Sequence, residues 1–577
     1  MKNHKRLLAL LLVIIMVLAL TACGGSQDNN TANPSSGAAS TDSASPSDSA
    51  SPSGNASPSG NASPSGNASP SGNASPPVAT PNTPMATRKA NVTLAAQDIA
   101  TNISPWAGTS TGRHMVSYSY YQQLLEYDKP SGTNVLVMLS DLEMLDEYTY
   151  RCTLYDNIYD SAGNHFTADD AIFSIEMCKE AGNVSGMNFI GEVKKVSEYV
   201  FDIGLTSNYD YIMGSSVPMI FMVTKKAYED SGDEMSTLPV GTGPYKVTDY
   251  VAGSSMTLEA VDNYWGANLA DEASNPAWYY HAQNVDVINY IKIAESAQMS
   301  ISLETGSVDA SLLMTANEAN RFNSNPNYIV WRTPDTRTYS IFFNLSELSP
   351  MQNQKLRQAV CYAINNEMVM RSTGGYGLLS PTFGSPVFSD CNPKWSNENY
   401  YDYDVDSAKA MLAESGFDTS QTIRFMYATD TEERNMIAQV IQGYLLAIGL
   451  NVQIDSLDAA AFAANKYDPN LYDIRLDYAS YSCLADVWVQ FLSSAGHPNG
   501  LSYSSMKDPV LEEMLDKLAT AEGRTEANVD AVHYYIKDNA YAYSFYSREL
   551  FDVTTTDITR FVSMPKLYAL PGAFSYK

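Results

Sequence analysis

The segment at residues 24–90 lacks the aromatic side chains from which a protein core is built. It contains no Phe, Trp or Tyr, and Ser-Pro-Ser-Gly-Asn-Ala recurs in register at 51–56, 57–62, 63–68 and 69–74. A segment with so little to bury cannot offset the entropy that ordering its backbone would cost. The six-residue unit also has no apolar positions through which copies could stack as a solenoid. We therefore expect residues 24–90 to form a disordered tether.

Cysteine and positive charge are both scarce. The 577 residues include 6 Cys, and 35 Lys and Arg stand against 64 Asp and Glu, which gives a formal charge of −29. The cysteines that follow Cys23 match no zinc-binding spacing, and their odd number leaves at least one thiol free. The acidic excess argues against nucleic acid or anionic lipid as a binding partner.

Motifs for catalysis and cofactor binding are also missing. The chain has neither a His-Glu-x-x-His sequence nor a phosphate-binding glycine loop. Gly108-Thr109-Ser110-Thr111-Gly112 has the G-x-S-x-G spacing of a nucleophile elbow, but Pro105 and Trp106 precede it where that motif needs a strand. The sequence therefore predicts no enzyme and no cofactor. Scattered histidines also argue against a preformed metal site; they are His114, His165, His281, His497 and His533.

The N-terminus has the layout of a secretory signal peptide. A basic head is followed by an unbroken apolar run from Leu7 to Leu20, shorter than the roughly 20 residues that a membrane-spanning helix needs. Leu20-Thr21-Ala22-Cys23 is similar to the lipobox of bacterial lipoproteins. That resemblance implies cleavage after residue 22 and lipidation of Cys23. The mature protein would then be lipid-anchored to the extracellular face of the cell membrane, as in a Gram-positive bacterium.

Residues 91–577 are too many for a single core, and their patterns predict an α/β body. Thr422 to Tyr427 and Leu450 to Ile454 alternate as strands. Between them, Thr429 and Glu432 fit a capping box, and Gly449 fits a helix end. This βαβ unit predicts parallel strand pairing. Its helix would bury Ile437, Ile441, Leu445 and Ile448, and further helices are predicted at 167–180, 354–370 and 406–415.

A series of short motifs runs through the same region. They are Phe166-Thr167-Ala168-Asp169-Asp170-Ala171, Gly241-Thr242-Gly243-Pro244-Tyr245, Asn263-Tyr264-Trp265, Leu303 to Asp309, Arg357 to Ile364, Tyr403 to Gly416 and Ile441 to Gly449. In this order they resemble the extracellular solute-binding proteins of the oligopeptide/dipeptide type (family 5), which serve ABC importers. Most of these motifs fall at turns and helix starts, so they indicate the scaffold and leave the ligand open.

The resemblance implies a two-lobed, periplasmic-binding-protein-like α/β fold (type II, Venus flytrap) with an extra inserted subdomain. Lobe I would combine 91–125, 240–330 and 545–577, and the subdomain would occupy 126–239. Lobe II would cover 331–544. Segments near 330–340 and 540–548 would cross between the lobes as hinges, with the ligand in the cleft between the lobes.

Ligand contacts follow partly from the resemblance and partly from aromatic side chains that could stack on a ligand. Peptide-binding relatives place an aspartate against the ligand's ammonium group, and the corresponding position falls near Cys483 or Leu484, which cannot pair with a cation. Segment 478–492 therefore predicts little discrimination between free and N-acetylated peptides, or a preference for ligands without an ammonium group. Asp477 would take the pairing role if the register is shifted. The candidate contacts are Trp106, Tyr120, Asn344, Tyr376, Asp477, Tyr478, Tyr481, Asp486 and Trp488.

The combined prediction is a monomeric, lipid-anchored receptor that delivers a small solute to an ABC permease and its ATPase subunits. A peptide-like ligand is the first expectation because peptides are the default ligand of the family. An oligosaccharide is the alternative, because tyrosines can stack on sugar rings and the chain has 39 Tyr. A surface lipoprotein that senses a ligand for a signalling partner is the alternative of another class.

Overall fold

The structure, a computed structural model, describes most of the chain after residue 87. The described ranges are 88–107, 115–128, 133–184, 186–207, 212–481, 483–494, 505, 507–520, 522–564 and 568–577. The predicted signal peptide, Cys23, the tether up to residue 87 and the Gly108–Gly112 motif lie outside these ranges. The predicted end of the tether at residue 90 was wrong, because Lys89 and Ala90 already belong to the strand Lys89–Ala96, which pairs with Val285–Lys292.

A long mixed sheet organises the described residues. Its strands bring together segments from the two ends and the middle of the chain, which is the arrangement expected for an α/β body with crossing segments. From one edge to the other they are Asn451–Leu457, Thr422–Ala428, Ile474–Ala479, Tyr328–Phe343, Ala542–Thr555, Ala310–Met314, Lys89–Ala96, Val285–Lys292, Ser255–Ala260 and Tyr245–Val251, with Gly377–Leu379 added beside Ala542–Thr555.

Two long strands in the middle of this sheet connect its halves. We call Tyr328–Phe343 the first crossing strand and Ala542–Thr555 the second crossing strand. They pair antiparallel from Tyr328 opposite Thr555 to Phe342 opposite Ala542, with register shifts near the middle. Since both strands run through both halves, any movement of one half against the other must bend or twist them.

The first lobe is the part of the molecule around one hydrophobic core, which collects residues between Val92 and Leu312 and between Ile558 and Phe574. A separate antiparallel sheet packs into this core. Its strands, in order, are Leu139–Asp146, Thr149–Leu154, Val200–Leu205 and Ile190–Lys195. Three strand pairs complete the sheets: Leu125–Asp128 with Thr133–Leu136, Ile558–Arg560 with Ser575–Tyr576, and Ser563–Met564 with Tyr568–Ala569.

The second lobe surrounds a second core, which collects residues between Tyr339 and Tyr546. The predicted βαβ unit lies here and is confirmed: Thr422–Ala428 and Asn451–Leu457 pair in parallel on either side of the helix Glu432–Ala447. Gly449 has φ +98°, the left-handed conformation expected of a helix end. The predicted apolar face is buried, at Ile437, Ile441, Leu445 and Ile448.

Two predicted details of the second lobe were wrong. Thr431, and not Thr429, caps the helix, because the Thr429 amide still donates to the Leu457 carbonyl as part of the sheet. The single helix predicted over 354–370 is two helices, because the Asn365 side chain accepts from the Met368 amide and starts a new helix.

The Gly241–Tyr245 turn is as tight as its sequence predicts. A Cβ atom on Gly241 would lie 2.0 Å from the Tyr120 carbonyl oxygen, so no other residue fits there. The Gly243 amide donates to that same carbonyl at 3.0 Å, and the strand Tyr245–Val251 follows at once. The turn therefore fixes the start of this strand against the backbone at Tyr120.

Helices cover the faces of the sheets. Within the described ranges, none combines the length and apolar character needed to span a membrane. Within the same ranges, Cys152, Cys178, Cys361, Cys391 and Cys483 form no disulfide. The helices are Ala168–Ala181, Lys225–Ser231, Ser296–Glu304, Ala316–Asn320, Gln354–Ala363, Asn366–Ser372, Val405–Ser415, Glu432–Ala447, Ala459–Asn465, Leu484–Leu492, Pro509–Leu518 and Glu526–Asn539.

Candidate ligand-binding cavity

A cavity of about 380 Å³ lies where the crossing strands pass between the two lobes. Its volume is within the range of small-molecule sites. The walls come from both crossing strands, from the end of the strand Ala310–Met314, and from the start of the helix Glu432–Ala447. The lining residues are Gln97, Leu313, Met314, Thr315, Ala316, Arg337, Tyr339, Thr373, Tyr376, Asp430, Thr431, Glu433, Tyr478, Tyr546, Arg548, Glu549, Leu550 and Phe551.

Two arginines in the cavity wall share one buried carboxylate. The Nε atoms of Arg337 and Arg548 donate to Oδ2 of Asp335 at 3.0 and 3.1 Å. The Asp335 side chain is 1% exposed, whereas the arginine side chains are 26% and 23% exposed. Burial alone would raise the pKa of Asp335, but the two guanidinium groups hold it below its ordinary value. Two positive charges are thus compensated by one negative charge at the edge of the cavity.

Three tyrosines form a connected group on another wall. The rings of Tyr339 and Tyr478 lie 4.9 Å apart, and those of Tyr339 and Tyr546 lie 5.3 Å apart. The Tyr546 hydroxyl is 2.5 Å from Oγ1 of Thr373. Burial raises the pKa of Tyr339 well above its ordinary value, so its hydroxyl stays protonated and able to donate. Tyr339 and Tyr546 are almost fully buried in the second core, and Tyr478 is the one of the three that is partly exposed.

Asp477 lies behind this wall and is already paired. Its Oδ1 accepts from Nη2 of Arg434 at 3.1 Å, and its Oδ2 lies 3.4 Å from Nζ of Lys466. The Arg434 guanidinium is also 4.1 Å from the centre of the Tyr478 ring. Burial would raise the pKa of Asp477, but Lys466, Arg475 and Arg434 hold it below its ordinary value. Asp477 therefore serves to fix Arg434 beneath Tyr478.

Glu433 and Glu549 bring negative charge to the cavity. Glu433 lies in the first turn of the helix Glu432–Ala447, and Glu549 lies next to Arg548 on the second crossing strand. Within the part of the chain that the structure describes, neither side chain has a hydrogen bond or an ion pair. Burial is the main reason that the pKa of Tyr546 is raised, and the charge of Glu433 raises it further. The cavity thus offers two carboxylates to a ligand.

Tyr376 and Tyr478 are the predicted contacts that line this cavity. Asp477 lies directly behind Tyr478, and the other predicted residues lie outside the lining. Trp106 and Tyr120 are buried in the first core, where Nε1 of Trp106 donates to the Phe221 carbonyl. Trp488 is buried in the second core and donates to the Phe383 carbonyl at 2.6 Å.

The remaining predicted residues have contacts typical of scaffold positions. Asn344 donates through Nδ2 to the carbonyls of Pro469 and Tyr472. Asp486 is paired with Arg524, with 2.5 Å between Oδ1 and Nη2. Tyr481 packs edge-on against Phe491, with ring centres 5.6 Å apart.

The sequence motifs do not predict the charged residues of the cavity. The family pattern has its carboxylate in segment 478–492, whereas Glu433 and Glu549 come from two other segments. One sequence feature pointed to Arg548 and Glu549 as cavity residues. Arg548 is the last residue of the predicted hinge segment 540–548, and Glu549 follows it. For Arg337 the signal was the first predicted crossing segment. Nothing in the local sequence marks Asp335 as their shared partner.

The fold and cavity define a solute-binding protein: two α/β lobes are joined by crossing strands, with a cavity between them. The profile of the bacterial extracellular solute-binding proteins, family 5, matches residues 139–491. The chain belongs to this family, as its motifs predict. Members of the family bind small solutes and work with ABC importers.

Similar proteins in this family have several different ligands. The glutathione-binding protein GsiB of Pectobacterium atrosepticum is 23% identical over 398 residues, which cover 67% of this chain and 74% of that protein. The GsiB protein of Escherichia coli K12 is 22% identical over 393 residues, covering 65% and 72%. These levels of identity are too low to transfer a ligand.

Solved structures share the fold over most of the chain. A putative peptide binding protein, AppA, from Clostridium difficile has a TM-score of 0.71 at 17% identity, covering 85% of this chain and 100% of that one. The oligopeptide-binding protein AppA from Bacillus subtilis, in complex with a nonapeptide, has a TM-score of 0.67 at 18% identity, covering 85% and 99%. NikA from Brucella suis, in complex with Fe(III)-EDTA, has a TM-score of 0.70 at 16% identity, covering 84% and 100%.

Proposed function

We propose that this protein captures a peptide-like solute in the cavity between its lobes and delivers it to an ABC permease and its ATPase subunits. The observation that carries this proposal is the pair of opposite charges in one cavity. Arg337 and Arg548 carry an excess positive charge beside Asp335, and Glu433 and Glu549 carry negative charge without a partner among the described residues. A ligand with both an anionic and a cationic group would complement them.

The energetics favour such a zwitterionic ligand. Closing the cavity over an uncompensated charge would cost several kcal/mol, because the charge loses water and gains no partner. A free peptide supplies a carboxylate for the arginines and an ammonium group for the glutamates. The partly exposed rings of Tyr376 and Tyr478 could hold the apolar part of the ligand and contribute hydroxyl hydrogen bonds. Glutathione and short peptides, the ligands named for similar proteins, both have this combination of groups.

This proposal revises the expectation from segment 478–492 alone. That segment has no carboxylate at the family's ammonium-pairing position, so it predicted little preference for a free amine. Glu433 and Glu549 could take over this role from other segments. We therefore expect the free amine to be preferred.

Oligosaccharide is the second candidate ligand, and the tyrosine wall favours it. Tyr376 and Tyr478 line the cavity with partly exposed rings on which a sugar could stack. A neutral sugar would leave Glu433 and Glu549 without a charged partner. The charges in the cavity therefore rank it behind a peptide-like ligand.

Delivery would proceed by closure of the lobes about the crossing strands. The lobes in this proposal are lobe I (91–125, 240–330 and 545–577) with its inserted subdomain (126–239), and lobe II (331–544). The two largest cores support the separation of lobe II from lobe I, and the subdomain shares its core with lobe I. The ligand can drive closure only through contacts that it gains in the closed state. Since the cavity walls come from both lobes, a ligand between Arg548 of lobe I and Glu433 of lobe II would gain such contacts.

The sequence supports a lipid-anchored monomer on the outer face of the cell membrane. In this proposal Cys23 carries the lipid, and the tether at 24–90 gives the receptor reach to its permease. A chain of this length and composition has an end-to-end distance on the order of 45 Å. The receptor could then stay at the surface while its lobes open and close.

Native mass spectrometry of protein purified without refolding tests the proposed ligand class. We expect an adduct whose fragmentation gives amino-acid residues, with a free amine and a carboxylate. An adduct that fragments into sugar units would support the oligosaccharide alternative and contradict the peptide-like ligand. If the protein is ligand-free, binding of a defined peptide library followed by the same measurement distinguishes the two classes.

A further inference from the structure

The strand Ala310–Met314 has an irregularity where it meets the second crossing strand. Ser311 pairs with Val553 and Met314 pairs with Phe551, so Leu312 and Leu313 together lie opposite the single residue Asp552. This is the arrangement of a β-bulge, which re-aims the side chains that follow it. Leu312 is buried in the first core. Leu313 packs against that core and also lines the ligand cavity, and Met314 lines the cavity from a separate small core. The bulge thus lies where this strand reaches the cavity.

The bulge holds Leu313 in an unfavourable backbone conformation. Leu313 has φ +54°, in the left-handed region that glycine usually occupies in bulges. For a residue with a Cβ atom this conformation is disfavoured, because the Cβ atom comes too close to the following carbonyl oxygen. Such a conformation persists only where surrounding contacts impose it.

Asp552 supplies a contact that can impose it. Oδ1 of Asp552 accepts a hydrogen bond from the Leu313 amide at 2.9 Å, in place of the sheet bond that the bulge removes. Asp552 is 2% exposed. Its second carboxylate oxygen, Oδ2, has no hydrogen-bond partner among the described residues. A buried carboxylate that makes a single hydrogen bond is costly for stability. A contribution to folding stability therefore does not explain why a carboxylate is buried at Asp552. Its hydrogen bond to the Leu313 amide does.

We propose that Asp552 is a positioning residue for the ligand cavity: its hydrogen bond to the Leu313 amide fixes the wall formed by Leu313, Met314, Thr315 and Ala316. The far end of this wall is held separately, because the Thr315 amide donates to Oγ of Ser296 at 3.1 Å. Asp552 itself does not line the cavity, although its neighbours Leu550 and Phe551 do. This role concerns the shape of the cavity and does not depend on which solute binds.

Amide hydrogen exchange in the full chain tests this role without a ligand. Asp552→Ala should raise the exchange rate of the Leu313 amide by about tenfold or more, the equivalent of losing one hydrogen bond. Asp552→Asn keeps an oxygen acceptor at the same place and should keep exchange within about twofold of the wild type. Unchanged exchange in Asp552→Ala, or an equal rise in both variants, would overturn the proposal.

Asp309 provides a matched control. Its Oδ2 accepts from the Thr93 amide at 2.8 Å in the same sheet, and it does not line the cavity. Asp309→Ala should raise exchange at Thr93 and leave Leu313 unchanged. If Leu313 responds equally to Asp309→Ala, the protection reflects general sheet stability and the proposal is wrong.

The Leu313→Gly variant keeps the proposal testable if Asp552→Ala does not fold on its own. Glycine adopts the left-handed conformation without an anchor. Asp552→Ala/Leu313→Gly should therefore fold even if Asp552→Ala alone does not. Where both fold, the difference in melting temperature between Asp552→Ala and Asp552→Asn should be at least halved in the Leu313→Gly background. An equal difference in the two backgrounds, or a double variant that is also unfolded, would show that Asp552 does not act through Leu313.

Discussion

Nε of Arg548 lies 3.1 Å from Oδ2 of Asp335, and this contact joins the two crossing strands at the edge of the ligand cavity. The same oxygen accepts from Nε of Arg337 at 3.0 Å. One buried carboxylate thus holds two guanidinium groups whose outer surfaces remain available to a ligand. The stability of the crossing region and the charge of the cavity therefore depend on the same residue.

Asp335→Asn should destabilise the protein, because it leaves two guanidinium groups without a counter-charge. Breaking a fully buried pair costs roughly 3–5 kcal/mol. Both arginines are partly exposed, so we expect a loss on the order of 2 kcal/mol in the free energy of unfolding, measured with urea. The control Glu272→Gln breaks the exposed pair with Arg560 and should leave this free energy nearly unchanged. Equal effects of the two substitutions would contradict the role given to Asp335.

Asp552→Asn should change how stability depends on pH. Burial raises the pKa of Asp552 to about 7, above its ordinary value of 3.8. Between these two values the folded protein binds the proton that the unfolded chain has lost, so the wild type loses stability as the pH rises. Asparagine does not ionise. The variant should therefore gain stability relative to the wild type between about pH 4 and 7, by a few kcal/mol, and keep that gain above pH 7.

Urea unfolding at pH 4.5 and pH 8 measures this difference. A variant that differs from the wild type by the same amount at both pH values would show that Asp552 does not titrate in this range. Asp309→Asn, which replaces a carboxylate that accepts from the Thr93 amide in the same sheet, is measured alongside as the control.

The sequence predicts much of the fold and little of the ligand cavity. The βαβ unit around Glu432–Ala447 was predictable, because apolar spacing and a terminal glycine are local signals. The family was predictable because its motifs mark turns and helix starts, such as Gly241–Tyr245. These features depend on residues that are close together in the chain.

The cavity depends on residues that are far apart in the chain. Asp335 and Arg548 are separated by 213 positions and meet only because the crossing strands pair antiparallel. Glu433 enters from the helix of the βαβ unit, whose start was predicted two residues too early. Aromatic residues in the sequence did not identify the cavity lining, because Trp106 and Trp488 are buried in the two cores. Burial of an aromatic ring and contact with a ligand have the same sequence signal.

Removal of the tether should leave the folded body intact. Thr83–Lys577 forms one compact unit, and the repeats at 51–74 have no apolar side chains that could pack against it. A protein beginning at Thr83 should melt within about 2 °C of the mature protein. A large fall in melting temperature would show that the repeats stabilise the body.

Cys23→Ser should abolish membrane anchoring. If Cys23 carries the lipid, the variant has no acyl chain and should be recovered in the medium or remain unprocessed. Cell fractionation with a metabolic fatty-acid label checks this expectation, with Cys391→Ser as a control that leaves the proposed lipobox unchanged. Label that persists on the Cys23→Ser protein would exclude Cys23 as the attachment site.

Calorimetric titration with matched peptides tests the central claim most directly. Each peptide is compared in its free form and its N-acetylated form, with wild type and with the Glu433→Gln/Glu549→Gln variant. The opposite charges of the cavity predict that the wild type prefers the free amine by about tenfold or more, roughly 1.4 kcal/mol, and that the variant loses this preference. Equal affinity of the wild type for both forms would contradict recognition of a cationic group by Glu433 and Glu549.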